Sequence, residues 1–213
     1  MIDKKEVSIV IADDHPLMLK GLSDEFRFHG YTVLGLASDG KEALKLIMQH
    51  RPTLAFLDVD MPYLNGFEVV KRAKTYGLDT KFIMFSFHRE INYVTQAQNL
   101  QINGYFLKED SFADIEKCMV NILKGKTCFS PSFKEEVLQI ATEDLKKLEL
   151  LTPSEKKILK LVAEQNTSAE IANLLGISER TVEKHRSNMI EKLELGGSLL
   201  NWALSKKEII AGL

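Results

Sequence analysis

The 213-residue chain is 45% apolar and 27% charged, with only 12 Gly, 5 Pro and 2 Cys. These proportions suit an ordinary globular protein and exclude a collagen-like, wholly disordered or disulfide-dense chain. The formal net charge is -2, so bulk charge announces no nucleic acid; no apolar run approaches the roughly 18 residues of a spanning helix, and the expectation is a cytoplasmic protein without a membrane partner. Cys118 and Cys128 stand ten positions apart with no C-x-x-C and no clustered His. Neither a zinc site nor a redox pair is expected from that spacing, and free thiols suit a reducing compartment.

Short apolar, β-branched runs predict strands at 7–12, 32–38, 54–58, 81–86 and 104–107. Between and after them, 16–28, 40–50, 65–76, 90–100 and 112–123 carry apolar residues at the three-to-four spacing of helices. Five alternations of strand and helix predict a doubly wound α/β domain with a buried parallel sheet, over residues 1–127. Residues 128–150 read as a turn, Ser130-Pro131-Ser132, followed by a helical linker. From Leu151 onward no strand pattern appears. Thr152-Pro153-Ser154-Glu155 offers a capped helix start with Pro at its first position, and three more helices follow, so residues 151–213 are expected to form an all-helical domain.

In an open parallel sheet, ligands bind beyond the carboxyl ends of the strands. The residues there are unusually polar: Asp13-Asp14 after the first strand, Asp58 after the third, Ser86 after the fourth and Lys108 after the fifth. Three carboxylates from two strands near the topological switch point call for a cation, and a few hard oxygen ligands suit Mg2+. Lys108 supplies a compact positive charge and Ser86 a hydroxyl donor. Phosphoryl transfer to a carboxylate needs this set, with Asp58 as nucleophile and Lys108 and Ser86 binding the phosphoryl oxygens. Singly, each residue has a plainer role: Asp13-Asp14 as a helix cap, Asp58 as a turn opener, Lys108 as a solvated lysine.

The order Asp13-Asp14, Asp58-Val59-Asp60-Met61-Pro62 with Gly66, Ser86, and Gly104-Tyr105-Phe106-Leu107-Lys108 resembles the receiver domain of two-component response regulators. The stretch from Ala12 to Leu17 with Gly21-Leu22 is similar to the NarL/FixJ branch. The resemblance implies a flavodoxin-like (βα)5 receiver in which Asp58 accepts phosphate from a sensor histidine kinase. It implies Mg2+ ligated by Asp14 and Asp58, by Asp13 through water, and by the main-chain carbonyl of Asp60. It also implies a switch in which the Tyr105 ring turns inward as Ser86 moves, although a strand aromatic packed on a helix explains Tyr105 as readily. Asp60 and His88 flank the pocket. Glu109 follows Lys108 where many receivers have Pro, which removes the usual reason for a cis peptide there.

In the C-terminal part, a short helix from Ser168 to Leu175, a turn at Gly176-Ile177-Ser178 and a longer helix from Glu179 make a helix-turn-helix layout. On the longer helix Val182, Met189 and Leu193 share a stripe with Ile190 beside it, while Arg180, Lys184, Ser187 and Glu191 lie opposite, and Thr181 and Asn188 flank that outer face. Polar outer faces are common to all small helical bundles. The motifs Leu151–Glu155, Ala169–Ala172, Leu175–Ser178 and Thr181–His185 with Lys192-Leu193 resemble the LuxR-type output domain. That resemblance implies a four-helix, DNA-binding domain whose recognition helix reads double-stranded promoter DNA through Ser168, Arg180, Thr181, Lys184, Ser187, Asn188 and Lys192. It also implies a homodimer when phosphorylated, with RNA polymerase as a further partner. Glu183 departs from a position commonly filled by lysine.

The leading expectation is therefore a DNA-binding regulator of transcription that catalyses only its own phosphorylation and dephosphorylation. A haloacid-dehalogenase-like phosphatase using Asp58 and Asp60 is the alternative, because Asp58-Val59-Asp60 copies a D-x-D pair. A third reading keeps the receiver but gives it a protein- or RNA-binding output.

Overall fold

A computed structural model describes residues 3–133 and 135–211. Five strands are where the apolar runs predict them: β1 Ser8–Ala12, β2 Thr32–Ala37, β3 Leu54–Leu57, β4 Lys81–Ser86 and β5 Gly104–Leu107. A sixth, β6 Cys128–Phe129, extends the sheet. All pairings are parallel, in the order β2-β1-β3-β4-β5-β6. β1 therefore lies between β2 and β3, and the chain reverses direction across the sheet between β1 and β3, the point where ligands bind in such folds. The sequence reading assigned 128–129 to the linker. A two-residue strand shows no alternation, so its pairing to β5 was invisible to any periodicity argument.

The helices of this first unit are α1 Pro16–Phe28, α2 Gly40–His50, α3 Gly66–Thr75 and, after α4 Ile91–Asn99, α5 Phe112–Leu123. Strand residues alternate between two buried faces. Ile9, Ile11, Leu54, Phe56, Ile83, Phe85 and Phe106 join Leu22 and Phe26 of α1 and Ile115, Met119 and Ile122 of α5 in one core. Val10, Ala55, Leu57 and Met84, the intervening positions, are equally buried. Helix starts follow from local chemistry: Asp39, Asn65 and Ser111 each accept hydrogen bonds from backbone N–H groups of the first turn of α2, α3 and α5, satisfying donors that the helix itself leaves unpaired. Gly66 is forced by contact, since a Cβ there would overlap the Asp58 carbonyl and the Met84 side chain.

The second compact unit comprises residues 90–99 and the chain from 135 onward. In it α4 packs against α6 Glu135–Glu149, with Val94, Thr95 and Ala97 fully buried. The remaining helices are α7 Pro153–Ala163, α8 Ser168–Leu175, α9 Glu179–Lys192, α10 Leu199–Ser205 and α11 Lys207–Ala211. The last predicted helix is thus two short ones, broken at Lys206. Thr152 and Glu155 close a capping box at α7 and Thr167 and Glu170 another at α8, which fixes where both helices begin. Gly176 ends α8 in the left-handed conformation, φ 65°, and Ser178 caps α9; this is the predicted tight turn. Ile158, Leu159, Val162, Ile171, Val182, Met189 and Leu193 form the centre of this core. Ile190, placed beside the core stripe by its spacing, is instead partly exposed.

Cys118 on α5 and Cys128 on β6 are joined as a disulfide, with their Cα atoms 5.7 Å apart. This corrects the expectation of two free thiols. Ten residues of separation carry no motif, and only the return of the chain to β5 brings the two together. Among the described residues no peptide bond is cis, and no helix is long and apolar enough to cross a membrane.

Candidate functional site

Asp13, Asp58 and Lys108 converge because each sits one residue past the end of a strand. Asp13 N–H donates to the Ala37 carbonyl, Asp58 N–H to the Ala12 carbonyl (2.8 Å) and Lys108 N–H to the Ser86 carbonyl (2.9 Å). The sheet thereby brings the three side chains together at the carboxyl ends of β1, β3 and β5. The Lys108 ammonium lies 2.7 Å from Asp58 Oδ2 and 2.8 Å from Asp13 Oδ2, and all three side chains are almost completely buried. Asp14 is more open, at 34% exposure, as suits a group facing solvent-borne ligands. Asp13, Asp14, His15 and Asp58 place one ligand atom each within 4.8 Å of one another.

Charge is out of balance in this pocket. Burial pushes the Asp58 carboxyl above its ordinary range, against the lowering effect of the Lys108 ammonium, and the neighbouring Asp13 charge pushes it further up. Burial works against the Lys108 ammonium too, yet bonds to Asp13 and Asp58 raise its pKa overall, so it stays charged. A cluster of carboxylates with one ammonium is still short of positive charge. The carboxylate oxygens of Asp13, Asp14 and Asp58, with an open side at Asp14, fit a hard divalent ion such as Mg2+.

Around this centre, Ser86 is buried and its hydroxyl accepts from the His88 N–H at 3.2 Å. His88 Nε2 meets Asp60 Oδ2 at 2.5 Å. The Asp60 side chain is 69% exposed and has His88 as its partner. Tyr105 is fully buried. Its hydroxyl donates to the His88 carbonyl at 3.0 Å, and its ring meets Phe133 edge-on at 5.4 Å. The ring is therefore already inside.

Sequence reasoning missed the surroundings of this set. His15 donates its N–H to Asp13 at 2.8 Å and brings Nδ1 within 2.8 Å of Asp14; its adjacency to the aspartate pair was the available signal. Asp110 accepts from Ser130 (2.8 Å) and Ser132 (3.0 Å) and from the Leu107 N–H (2.8 Å). No sequence signal joins positions 110 and 130.

On the helical unit, Arg180, Thr181, Lys184 and Ser187 are exposed along α9, and Asn188 is half-buried beside them, as the spacing predicts. Thr181 shares a hydrogen bond of 2.7 Å with the capping Ser178. Ser168 at the start of α8 donates to Glu183, so the departing carboxylate is held across the turn between the two helices. Lys192, at the end of α9, is half-buried. Its ammonium pairs with the buried Glu155 at 2.7 Å, bracing α9 on α7, because a carboxylate buried there requires a partner.

Residues 9–119 match the response regulator receiver domain, and residues 149–198 match the bacterial regulatory proteins of the luxR family. The chain belongs to the two-component response regulators of the NarL/FixJ type, and it is a DNA-binding regulator of transcription. It is 31% identical over 191 residues to a transcriptional regulatory protein named NarL from Mycobacterium tuberculosis, covering 89% of this chain and 88% of that one. It is 28% identical to the nitrate/nitrite response regulator NarL of Escherichia coli, covering 92% and 93%. Among solved structures, RcsB in complex with DNA aligns over 94% of this chain and 98% of that one, with 25% identity and a TM-score of 0.60. The phosphatase alternative has no support.

Proposed function

We propose that Asp58 is the phosphoacceptor and that its phosphorylation controls promoter binding by the helix-turn-helix. The observation that carries this reading is the buried Asp58 carboxylate, held 2.7 Å from the Lys108 ammonium at the mouth of the sheet. A free Asp58 oxygen attacks the phosphorus of a phosphohistidine on a sensor histidine kinase. The Asp58 O–P bond forms as the histidine N–P bond breaks, and the imidazole leaves with the electron pair. Lys108 and Ser86 then neutralise and hydrogen-bond the phosphoryl oxygens. Asp13, Asp14, Asp58 and the Asp60 carbonyl would hold Mg2+, which supplies charge neutralisation between the carboxylates and the incoming phosphoryl group.

Residues 1–127 form the phosphoacceptor domain in this reading, 128–150 the connection and 151–213 the output. Ser168, Arg180, Thr181, Lys184, Ser187 and Asn188 face DNA. Lys192 contributes through its brace to Glu155, with only its exposed flank left for a phosphate. Phosphorylation favours one of two receiver conformations, in which Ser86 and Tyr105 are the switch residues. A phosphorylated homodimer on paired half-sites supplies the contact area that one small domain lacks. The relatives named above are transcriptional regulators, and RcsB has been solved on DNA; this supports the same working partners here, in the cytoplasm and with RNA polymerase at the promoter. The regulator turns over only its own acyl phosphate.

The test is the mobility of labelled promoter fragments with the full chain, before and after treatment with acetyl phosphate and Mg2+. Phosphorylation is expected to tighten binding, and Lys184→Ala with Asn188→Ala to abolish it. Equal binding by phosphorylated and unphosphorylated protein would reject phosphate control, while leaving the DNA-binding assignment intact.

A further inference from the structure

The strand β6 has only two residues, pairs with β5 at just two positions, Gly104↔Cys128 and Tyr105↔Phe129, and lies at the edge of the sheet. So short an edge strand holds weakly through its ladder alone. Three fasteners keep the segment 128–133 in place. At its start the Cys118–Cys128 disulfide ties it to α5. In its middle the Ser130 N–H donates to the Tyr105 carbonyl at 2.8 Å, and Ser130 and Ser132 both donate to Asp110. At its end the Phe133 ring packs on the fully buried Tyr105 ring. The disulfide is the one covalent fastener of a strap that closes over Tyr105.

We propose that Cys118 and Cys128 are a reversible thiol–disulfide site, and that its redox state sets how tightly the 128–133 strap is held over Tyr105. Cys118 is buried at 9% exposure, whereas Cys128 is half-buried on the edge strand, with exposed Lys124 and Lys126 just before it in the chain. Cys128 is the more open of the two residues. A low-molecular-weight thiolate of the glutathione class attacks Cys128 Sγ, a new S–S bond forms, and the Cys118 thiolate leaves and takes a proton. A second such thiol attacks the sulfur of the small molecule in that mixed disulfide, which releases the Cys128 thiol and the oxidised small disulfide. Two electrons pass to the protein and two small thiols are oxidised; the reverse sequence restores the bond.

The ten-residue separation closes a short loop, and removing such a cross-link raises the opening constant of the region that it constrains by about tenfold to a hundredfold. The inference stands independently of whether Asp58 accepts phosphate.

The full chain would be equilibrated in glutathione buffers of stepped reduced-to-oxidised ratio, quenched with an alkylating reagent and weighed intact. Hydrogen exchange at the Ser130 amide would be followed in parallel. The expected result is a single transition in which both cysteines gain or lose the label together, with exchange at Ser130 about tenfold to a hundredfold faster in the reduced protein. Cys118→Ser and Cys128→Ser should each show the fast exchange at every ratio. Two cysteines that are alkylated at every ratio would overturn the proposal. So would a disulfide whose reduction leaves Ser130 exchange unchanged, or a serine variant whose exchange still responds to the buffer.

Discussion

Each unit of this protein buries a carboxylate against a lysine, and the two pairs behave in opposite ways. In the receiver, Asp13 and Asp58 share the single Lys108 ammonium, and Asp58 is left with a pKa above its ordinary value, burial being the largest cause. In the helical unit, burial likewise disfavours the Glu155 charge, but one carboxylate here has a lysine of its own. Its Oε2 accepts from Lys192 at 2.7 Å, the Thr152 N–H at 2.8 Å and the Thr152 hydroxyl at 3.0 Å, and its pKa ends below the ordinary value. A satisfied pair is a brace. An under-compensated one retains affinity for further positive charge, which is what a phosphoacceptor beside a metal site requires.

The two buried pairs should differ most when Lys108 is removed. Lys108→Met leaves Asp13 and Asp58 buried without a cation, so the metal-free protein should lose about 3 to 5 kcal/mol of stability, and Mg2+ should recover part of it; denaturant melts with and without Mg2+ check both. Glu155→Ala removes the capping-box acceptor and strands Lys192, which is half-exposed and can turn to water. A smaller loss of about 1 to 3 kcal/mol is expected, and Trp202, the sole tryptophan, packs against the core of that unit and reports the transition.

Acid sharpens the contrast, because the signs are opposite. Glu155 titrates below its unfolded value of about 4.5, so its contribution is full above that value and is lost as pH falls through the folded one. Asp58 titrates above its unfolded value, so its contribution is full at low pH and is lost as pH rises through the folded one. The stability gap between the native protein and Glu155→Gln should therefore shrink on acidification from pH 6 towards pH 3. Asp58→Asn should be more stable than the native chain at pH 7, with that advantage shrinking over the same acidification.

The smallest expected effect is at Glu183. Replacing this carboxylate by lysine removes a negative charge from the exposed face of α9 and should tighten DNA binding, steepening the dependence of log affinity on log salt by about one unit. Salt-titrated fluorescence anisotropy with duplex DNA measures it. An unchanged slope would mean that the carboxylate, held by Ser168, stays clear of the phosphates.

What was legible in the sequence follows the same division. Strands β1 to β5 are apolar runs bounded by polar residues, so both the sheet and the polar residues past its strand ends could be read from spacing alone. The stripe of Val182, Met189 and Leu193 was equally readable, because helix period fixes it. Pairings between distant segments were not. Nothing local joins Cys118 to Cys128, Asp110 to Ser130 or Lys192 to Glu155; each exists because the tertiary fold returns one element to another. The resemblance that implies a DNA contact at Lys192 carries no sign of the buried acid on α7 with which its ammonium pairs.

Asp58, with its raised pKa and its lysine neighbour, is the proposed phosphoacceptor. Intact-mass spectrometry after incubation with acetyl phosphate and Mg2+ tests it most directly. A single phosphoryl adduct on the native chain, absent from Asp58→Asn, is the predicted result. An adduct that persists in Asp58→Asn, or no adduct on the native chain with Mg2+ present, would contradict it.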